Sequence, residues 1–234
     1  MTGKSKILTA LALCCALALA ALLLMPKESP ESLQNPEKQV YEKTMTAFSE
    51  YPAFSSLDEL KDSASLAVLG TWEEFSGTYN VTRDPNDPSK ESGESYSEGR
   101  EYSFKVKEVL YGSLSEKSID VGIKASDGFD FDGVEVQVPS QYFYEPEMGE
   151  TRVLFLNFDK NTGLYCPCGR PWEIAVGQGE ELNFCMPPQA EQSVGQAETA
   201  DGIYRMTVKY GSSESPSDFV SSMTLDELRL ALGE

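Results

Sequence analysis

The chain has 234 residues, of which 40% are hydrophobic, and it carries a formal charge of −19 with no histidine. Binding to nucleic acid depends on clustered lysine and arginine, so this acidity excludes a nucleic-acid partner. Without an imidazole, the chain has no Ser-His-Asp or Cys-His nucleophile pair and no histidine-rich zinc site. We therefore expect a protein that is not an enzyme and that holds no cofactor. A hydrolase that uses a pair of carboxylates needs no histidine and stays open as an alternative.

Residues 1–25 have the pattern of a signal anchor. Lys4 and Lys6 precede 19 uncharged residues, 7–25, and a helix of that length would extend about 28 Å and cross the hydrocarbon core. The positive-inside bias holds its amino end in the cytoplasm. The sequence predicts a single-pass protein of the cell membrane whose C-terminal domain lies outside the cytoplasm. The alternative is a protein secreted after cleavage of this segment.

Residues 26–54 are predicted to form a stalk followed by a short helix. The stalk is rich in proline, glutamate and serine, a composition typical of extended linkers. Apolar side chains then recur at roughly helical spacing at Val40, Tyr41, Met45 and Phe48. This spacing predicts an amphipathic helix within 37–51.

Residues 55–234 are predicted to form one β-rich domain. Many short segments alternate apolar and polar residues, with turn residues between them and no βαβ rhythm, which indicates an antiparallel barrel or sandwich. Gly70 and Gly77 interrupt the first long strand and would let it bulge. The segment 83–99 has almost no apolar residue to bury, so it is predicted to be a flexible insertion.

Two capping boxes predict short helices at the two ends of this domain. Ser56 is followed by Glu59, and Thr224 by Glu227, the spacing at which each pair satisfies the free amides of a helix start.

Three segments, SLDELKDSASLAVLGTW, YSFKVKEVLYGSLSEKSIDVGI and MGETRVLFLNF, together resemble uncharacterised membrane-anchored proteins of Gram-positive bacteria that lie outside the cytoplasm. The resemblance covers roughly 56–185. It implies a small five-stranded barrel of the OB or netrin-like type with short flanking helices. Its motifs are structural and imply no reaction.

Tyr142 and Tyr144 are the candidate ligand contacts. In an extended segment they would share one side, with Phe143 on the other. Paired tyrosine rings offer large contact area at small entropic cost, so they would suit an envelope protein or a glycan. The alternative is that they pack against the barrel wall.

Cys166, Cys168 and Cys185 are the remaining candidates. Outside the cytoplasm thiols tend to pair, and a disulfide from Cys166 or Cys168 to Cys185 would close a loop of roughly 20 residues and stabilise by about 3 kcal/mol. If 169–171 and 177–180 are simple turns, the strands form a meander that keeps Cys168 too far from Cys185, so the bond requires a break in that meander. Free thiols, or a thiol-redox or metal site built from the three cysteines, are the alternatives.

The acidic segment containing Asp127, Asp130 and Asp132 does not fit a calcium loop. Gly133 in the invariant glycine position would place Pro139 where an EF-hand needs a glutamate. We predict a polar hairpin loop there and no metal site.

These observations predict a membrane-tethered binding protein or envelope component that is not catalytic and whose ligand is unknown. A netrin-like barrel that inhibits a protease is one alternative, and a thiol-redox or metal-binding protein is the other.

Overall fold

The computed structural model describes residues 38–48, 52–186, 190–211 and 216–233. It has two helices and fourteen strands among them. The helices are α1 (Leu57–Ser63) and α2 (Leu225–Leu232). The strands are β1 (Val40–Ala47), β2 (Leu66–Asn80), β3 (Arg83–Asp84), β4 (Asp87–Glu91), β5 (Glu98–Tyr111), β6 (Ser118–Lys124), β7 (Ser126–Phe131), β8 (Val134–Pro139), β9 (Thr151–Asp159), β10 (Leu164–Pro167), β11 (Glu173–Val176), β12 (Leu182–Phe184), β13 (Gln192–Glu198) and β14 (Ile203–Tyr210). The prediction of a mainly β protein is confirmed.

The largest sheet has seven strands in the order β10-β6-β5-β2-β9-β11-β12. Its centre is β2, which pairs antiparallel with β5 on one side and with β9 on the other. The register of β2 against β5 shifts at Leu69–Gly70 and again before Gly77, as the two glycines predicted. Gly70 allows a close approach of the strands, since a Cβ there would lie 2.1 Å from the carbonyl oxygen of Lys105.

Both faces of the sheet are buried along residues 152–156 of β9, which explains the unbroken apolar run there. Val153 and Phe155 pack in a cluster that includes leucines of α1 and α2. Leu154 and Leu156 lie in a second cluster on the other face, with the aromatic side chains of β2 and β5. Successive residues of one strand point to opposite faces, so each face receives two of the four.

The pairing between β10 and β6, which would close the sheet into a barrel, is short. β10 pairs antiparallel with β9, and it also contacts β6 through one parallel pair, Tyr165 with Val121. One residue pair does not make a continuous ladder, so the sheet is not closed as a barrel.

β10 and β11 lie end to end along the same side of β9 rather than forming a meander. Leu156 of β9 pairs with Pro167, and Leu154 pairs with Glu173. The intervening residues, 168–172, leave the ladder, and they include the cis Arg170–Pro171 peptide bond. The meander is therefore broken between β10 and β11.

A three-stranded sheet, β1-β14-β13, replaces the predicted helix of 37–51, and that prediction is wrong. β1 runs parallel to β14, and Tyr41 stacks on Tyr204 at 4.9 Å between ring centroids. Tyr41 and Met45 pack against a cluster that contains Met206 and Val208. Residues four apart lie on the same face in a strand as well as in a helix. The spacing of Tyr41 and Met45 therefore could not distinguish a strand from a helix.

The acidic segment forms the predicted hairpin, β7–β8. Asp132 and Gly133 have positive φ angles of 54° and 86°, and the Gly133 amide donates to the Asp130 carboxylate. This is the backbone conformation that glycine and aspartate tolerate in hairpin turns.

The insertion 83–99 contains the short hairpin β3–β4. Buried Asn80 ties it to the sheet, because its amide nitrogen donates to the carbonyls of Ser92 and Ser95. Its side-chain oxygen accepts from the amides of Thr82 and Ser97.

Both predicted helices are present. Thr224 and Glu227 form the complete reciprocal capping box at α2. At α1 only half of the box forms, because Ser56 accepts from the Glu59 amide while the Glu59 carboxylate accepts from Ser55 instead.

The predicted membrane anchor, 7–25, and the stalk before residue 38 lie outside the described residues. Among the residues that the structure does describe, no helix has both the length and the apolar character needed to cross a membrane.

Candidate functional site

A buried carboxylate, Glu173 at the start of β11, organises the most polar part of the interior. Its Oε1 accepts from the indole nitrogen of Trp72 at 2.9 Å, and its Oε2 accepts from the hydroxyl of Tyr144 at 2.6 Å. The guanidinium of Arg152 lies 3.1 Å from Oε1. We call these four residues the clamp. Glu173 is 1% exposed, so it is stable there only because all its partners are present.

The clamp holds a loop against the sheet. This loop, residues 140–150, connects β8 to β9, and we call it the strap. Tyr144 stacks on Trp172 with 6.1 Å between ring centroids, and the Gly149 amide donates to the Trp72 carbonyl at 2.9 Å. The strap is thereby fixed at two points, to Trp172 through Tyr144 and to Trp72 through Gly149.

Arg152 connects the clamp to the strap's acidic residues. Besides its contact with Glu173, its guanidinium donates to the carboxylate of Glu147 and lies 3.8 Å from that of Glu150. Arg152 itself is buried, whereas the side chains of Glu147 and Glu150 are 74% and 62% exposed. The one guanidinium therefore balances the buried carboxylate and leaves the outer carboxylates facing water.

A cleft of about 540 Å³ opens above the clamp. Its lining combines aromatic and apolar walls from the strap and from the end of β12 with the charged groups just described. The lining residues are Phe143, Tyr144, Glu145, Glu147, Arg152, Glu173, Phe184, Cys185 and Met186. A concave site with apolar walls and a few convergent polar groups is the usual form of a ligand site.

The two tyrosines predicted to act together both lie in the strap but line different depressions. Tyr144 lines the cleft together with Phe143, and its hydroxyl is engaged by Glu173. Tyr142 lines two other depressions, and the guanidinium of Arg170 lies 4.2 Å from its ring centroid. Because the strap is not an extended strand, alternate residues do not share a side, and only Tyr144 belongs to the candidate site.

The three cysteines of the β10–β12 region are free thiols in this structure. Cys166 pairs with Asn157 of β9, while Cys185 follows β12 and its amide donates to the Glu173 carbonyl. Glu173 is opposite Leu154 of the same strand β9. Three residues along β9 therefore separate the two thiols by roughly 10 Å, beyond the reach of a disulfide. Cys168 lies in the break between β10 and β11 and packs against both large clusters.

Burial raises the pKa of all three thiols, to about 11 for Cys166 and about 12 for Cys168 and Cys185. The neighbouring Glu173 charge also raises the pKa of Cys185. Since the thiolate is the form that attacks disulfides and binds metals, these thiols are poor nucleophiles at neutral pH. Within the described part of the chain, no three histidine, cysteine, aspartate or glutamate side chains group in a way that could hold a metal ion.

We expect the three thiols to react slowly while the protein is folded. A rise of two or more pKa units lowers the thiolate fraction at pH 7.5 by about two orders of magnitude. Iodoacetamide labelling followed by peptide mass mapping should show alkylation of these residues at least about 100-fold slower in the native chain than in urea. Fast labelling of Cys166, or a disulfide-linked peptide in the non-reduced map, would contradict this.

Burial also raises the pKa of Glu173, against the opposing effects of hydrogen bonds from Trp72 and Tyr144 and of the charge of Arg152. The folded protein then holds this proton more tightly than the unfolded chain does. The resulting stability is fully present below the ordinary glutamate pKa and is lost as pH rises through the raised value.

A difference measurement isolates this titration from the rest of the acidic chain. We expect the free energy of unfolding of the wild type to fall more steeply between about pH 4.5 and 7 than that of Glu173→Gln, which cannot titrate. Urea unfolding of both proteins across that range gives the comparison. Parallel pH profiles, or a wild-type profile that rises relative to the variant, would show that the pKa is not raised.

The two residues at the centre of this site were not predicted from the sequence. Arg152 and Glu173 each stand at the edge of an apolar run, RVLFL and EIAV, where a charge ordinarily marks a strand end at the surface. Glu150 lies two residues before Arg152 and Arg170 lies three before Glu173, so each charge has an opposite charge nearby and the sequence does not indicate that Arg152 and Glu173 meet.

No protein-family model matches the chain, and neither a curated protein nor a solved structure is similar enough to match it. The role of the candidate site is therefore inferred from its geometry alone.

Proposed function

We propose that this chain is a membrane-tethered binding component of the cell envelope, that it is not catalytic, and that its ligand binds in the cleft above the clamp. The observation that carries the proposal is the clamp itself. Buried and mutually bonded groups fix the floor of the cleft, so its apolar walls are held open in a defined position. A preformed cleft loses less conformational entropy when a ligand binds.

The groups on the floor are better suited to support than to reaction. Both oxygens of Glu173 already accept hydrogen bonds, and the residue is almost wholly buried. A general acid or base must reach the proton that it transfers, and a nucleophile must be ionised and accessible. Glu173 is not accessible, and the Cys185 thiol stays protonated because its pKa is raised to about 12.

The proposal includes a partly open OB-like arrangement of β2, β5, β6, β10 and β9. In its support, these strands are neighbours in that order, and β9 pairs again with β2. OB-type domains bind ligands on loops and faces at one side of such a sheet. The tether is residues 7–25, and the domain lies outside the cytoplasm in this proposal.

The alternatives have less support. The raised thiol pKa values disfavour thiol-redox and metal chemistry at Cys166, Cys168 and Cys185. Inhibition of a protease by a netrin-like barrel stays a prediction from the resemblance, since no described contact favours it.

Site-specific photocrosslinking in intact cells tests the proposed function. Benzoylphenylalanine in place of Met186, which lines the cleft, is expected to give discrete crosslinked species in a Gram-positive host. The matched control places it at Leu230 of α2, an exposed apolar position that does not line the cleft. Identical species from both positions, or none from Met186, would contradict the proposal.

The location is tested separately on protoplasts. A protease added outside should degrade the domain while a cytoplasmic protein in the same cells survives. Protection of the domain would overturn the proposed location.

A further inference from the structure

We infer that the cleft binds an extended peptide segment in which a lysine or arginine lies next to an apolar side chain. This inference rests on the proposed function and names the chemical class of its ligand. It comes from three features of the described residues: the charge of the rim, the nature of the walls and the strand that borders the cleft.

The rim of the cleft is negative where a ligand would meet it. Three carboxylates and one guanidinium line the cleft, and the guanidinium of Arg100 pairs with one of those carboxylates, Glu145, so the five groups together carry a formal charge of −1. The carboxylates of Glu145 and Glu147 are 60% and 74% exposed, whereas the side chain of Arg152 is 6% exposed and already contacts Glu173. A ligand therefore meets two largely exposed carboxylates, each of which already bonds an arginine, Arg100 or Arg152.

The walls are suited to the stem of a basic side chain. Phe143, Tyr144, Phe184 and Met186 supply aromatic and thioether surface, which contacts the methylene stems of lysine or arginine and attracts their charged ends. The strap already shows this preference within the chain, because the guanidinium of Arg100 lies 5.0 Å from the Phe143 ring centroid.

The adjoining strand favours a peptide over a small cation. β12 is the last strand in the order of the seven-stranded sheet, and one bridge, from Glu181 just before it to Thr224, lies on its outer side. Phe184 at the other end of β12 lines the cleft together with the two residues that follow. An outer strand can offer main-chain groups to an extended peptide, and a neighbouring pocket then selects its side chains.

The charge of the whole chain argues for a basic partner over a second copy. At a formal charge of −19, two copies repel each other, while a cationic segment is attracted at long range. The occupant we commit to is therefore a basic, partly apolar segment of another protein.

Isothermal titration calorimetry of the full-length chain in zwitterionic-lipid nanodiscs tests this inference. Three capped peptides are compared, with the sequences Lys-Phe-Lys-Phe-Lys, Lys-Ser-Lys-Ser-Lys and Glu-Phe-Glu-Phe-Glu. We expect the first to bind at least about tenfold more tightly than either of the others. Raising the salt from about 0.05 to 0.5 M should weaken it several-fold, because the exposed rim charges become screened.

A charge-matched pair of variants locates the effect. Glu145→Gln combined with Glu147→Gln is expected to weaken the Lys-Phe peptide about five- to tenfold. Glu74→Gln combined with Glu94→Gln removes the same charge from exposed positions that do not line the cleft, and should change affinity less than about twofold.

Three results would overturn the inference. They are equal affinity for the acidic and the basic apolar peptides, equal weakening by both double variants, and no binding of any peptide. If crosslinks from Met186 form while the peptides fail to bind, the proposed function survives and only the ligand class is wrong. The wild-type peptide series and salt series do not depend on the folding of any variant.

Discussion

Replacement of Glu173 by alanine is expected to lower the free energy of unfolding by about 3–5 kcal/mol. The substitution removes the acceptor for the Trp72 indole and the Tyr144 hydroxyl and the counter-charge of buried Arg152. A buried donor without a partner has lost its hydrogen bonds to water and forms none in the protein, which destabilises the folded state. Urea unfolding of the full-length chain in non-ionic detergent, followed by circular dichroism, measures the loss.

Glu108→Ala is the matched control for this prediction. Glu108 also pairs with an arginine, Arg229, but both side chains are partly exposed, so we expect a loss of about 1 kcal/mol or less. If Glu173→Ala lowered the free energy of unfolding no more than Glu108→Ala does, the clamp would not be what holds the strap against the sheet. Glu173→Leu combined with Arg152→Met should recover part of the loss, because it removes both buried charges.

Trp72→Ala is expected to have a similarly large effect, about 3–5 kcal/mol. The Trp72 ring is buried and makes edge-on contacts with Tyr102, Phe104 and Trp172, with 5.0–6.4 Å between ring centroids. Its removal leaves a cavity beneath the cleft and also takes away a donor to Glu173. The same unfolding measurement applies.

Two further variants separate the causes. Trp72→Phe keeps an aromatic ring and loses the donor, so its cost should be smaller, about 1–3 kcal/mol. Phe75→Ala, in the same strand, removes a half-exposed ring that contacts Tyr102, and we expect about 1 kcal/mol or less. Equal losses for Trp72→Ala and Phe75→Ala would contradict the assignment of Trp72 to the core of the site.

The mainly β class, the end helices and the bulges in β2 could be predicted because each follows from a local pattern. The capping box at Thr224 and the close approach at Gly70 depend on residues near in sequence or on the size of one side chain. The helix predicted for 37–51 failed because Tyr41 and Met45 satisfy both periodicities. Only the parallel pairing with β14, more than 150 residues away in the chain, decides in favour of a strand.

The candidate site was harder to predict because no single segment contains it. Trp72, Tyr144, Arg152 and Glu173 come from β2, the strap, β9 and β11, and pairing of β9 with both β2 and β11 brings them together. The sequence pointed to Tyr144 and Cys185, which both line the cleft. The sequence did not identify Glu173 as the partner of Tyr144 or Arg152 as the partner of Glu173. A charged residue beside an apolar run does not indicate which distant strand will supply its partner.

Methionine methyl NMR tests the central claim most directly, namely that a basic apolar segment binds in the cleft above the clamp. Met186 lines the cleft, whereas Met206 is buried in the cluster beside the three-stranded sheet. In the full-length chain labelled at its methionine methyl groups, titration with the Lys-Phe peptide should shift the Met186 resonance and leave Met206 unchanged. A shift at Met206 without one at Met186, or no shift of Met186 at saturating peptide, would contradict the account.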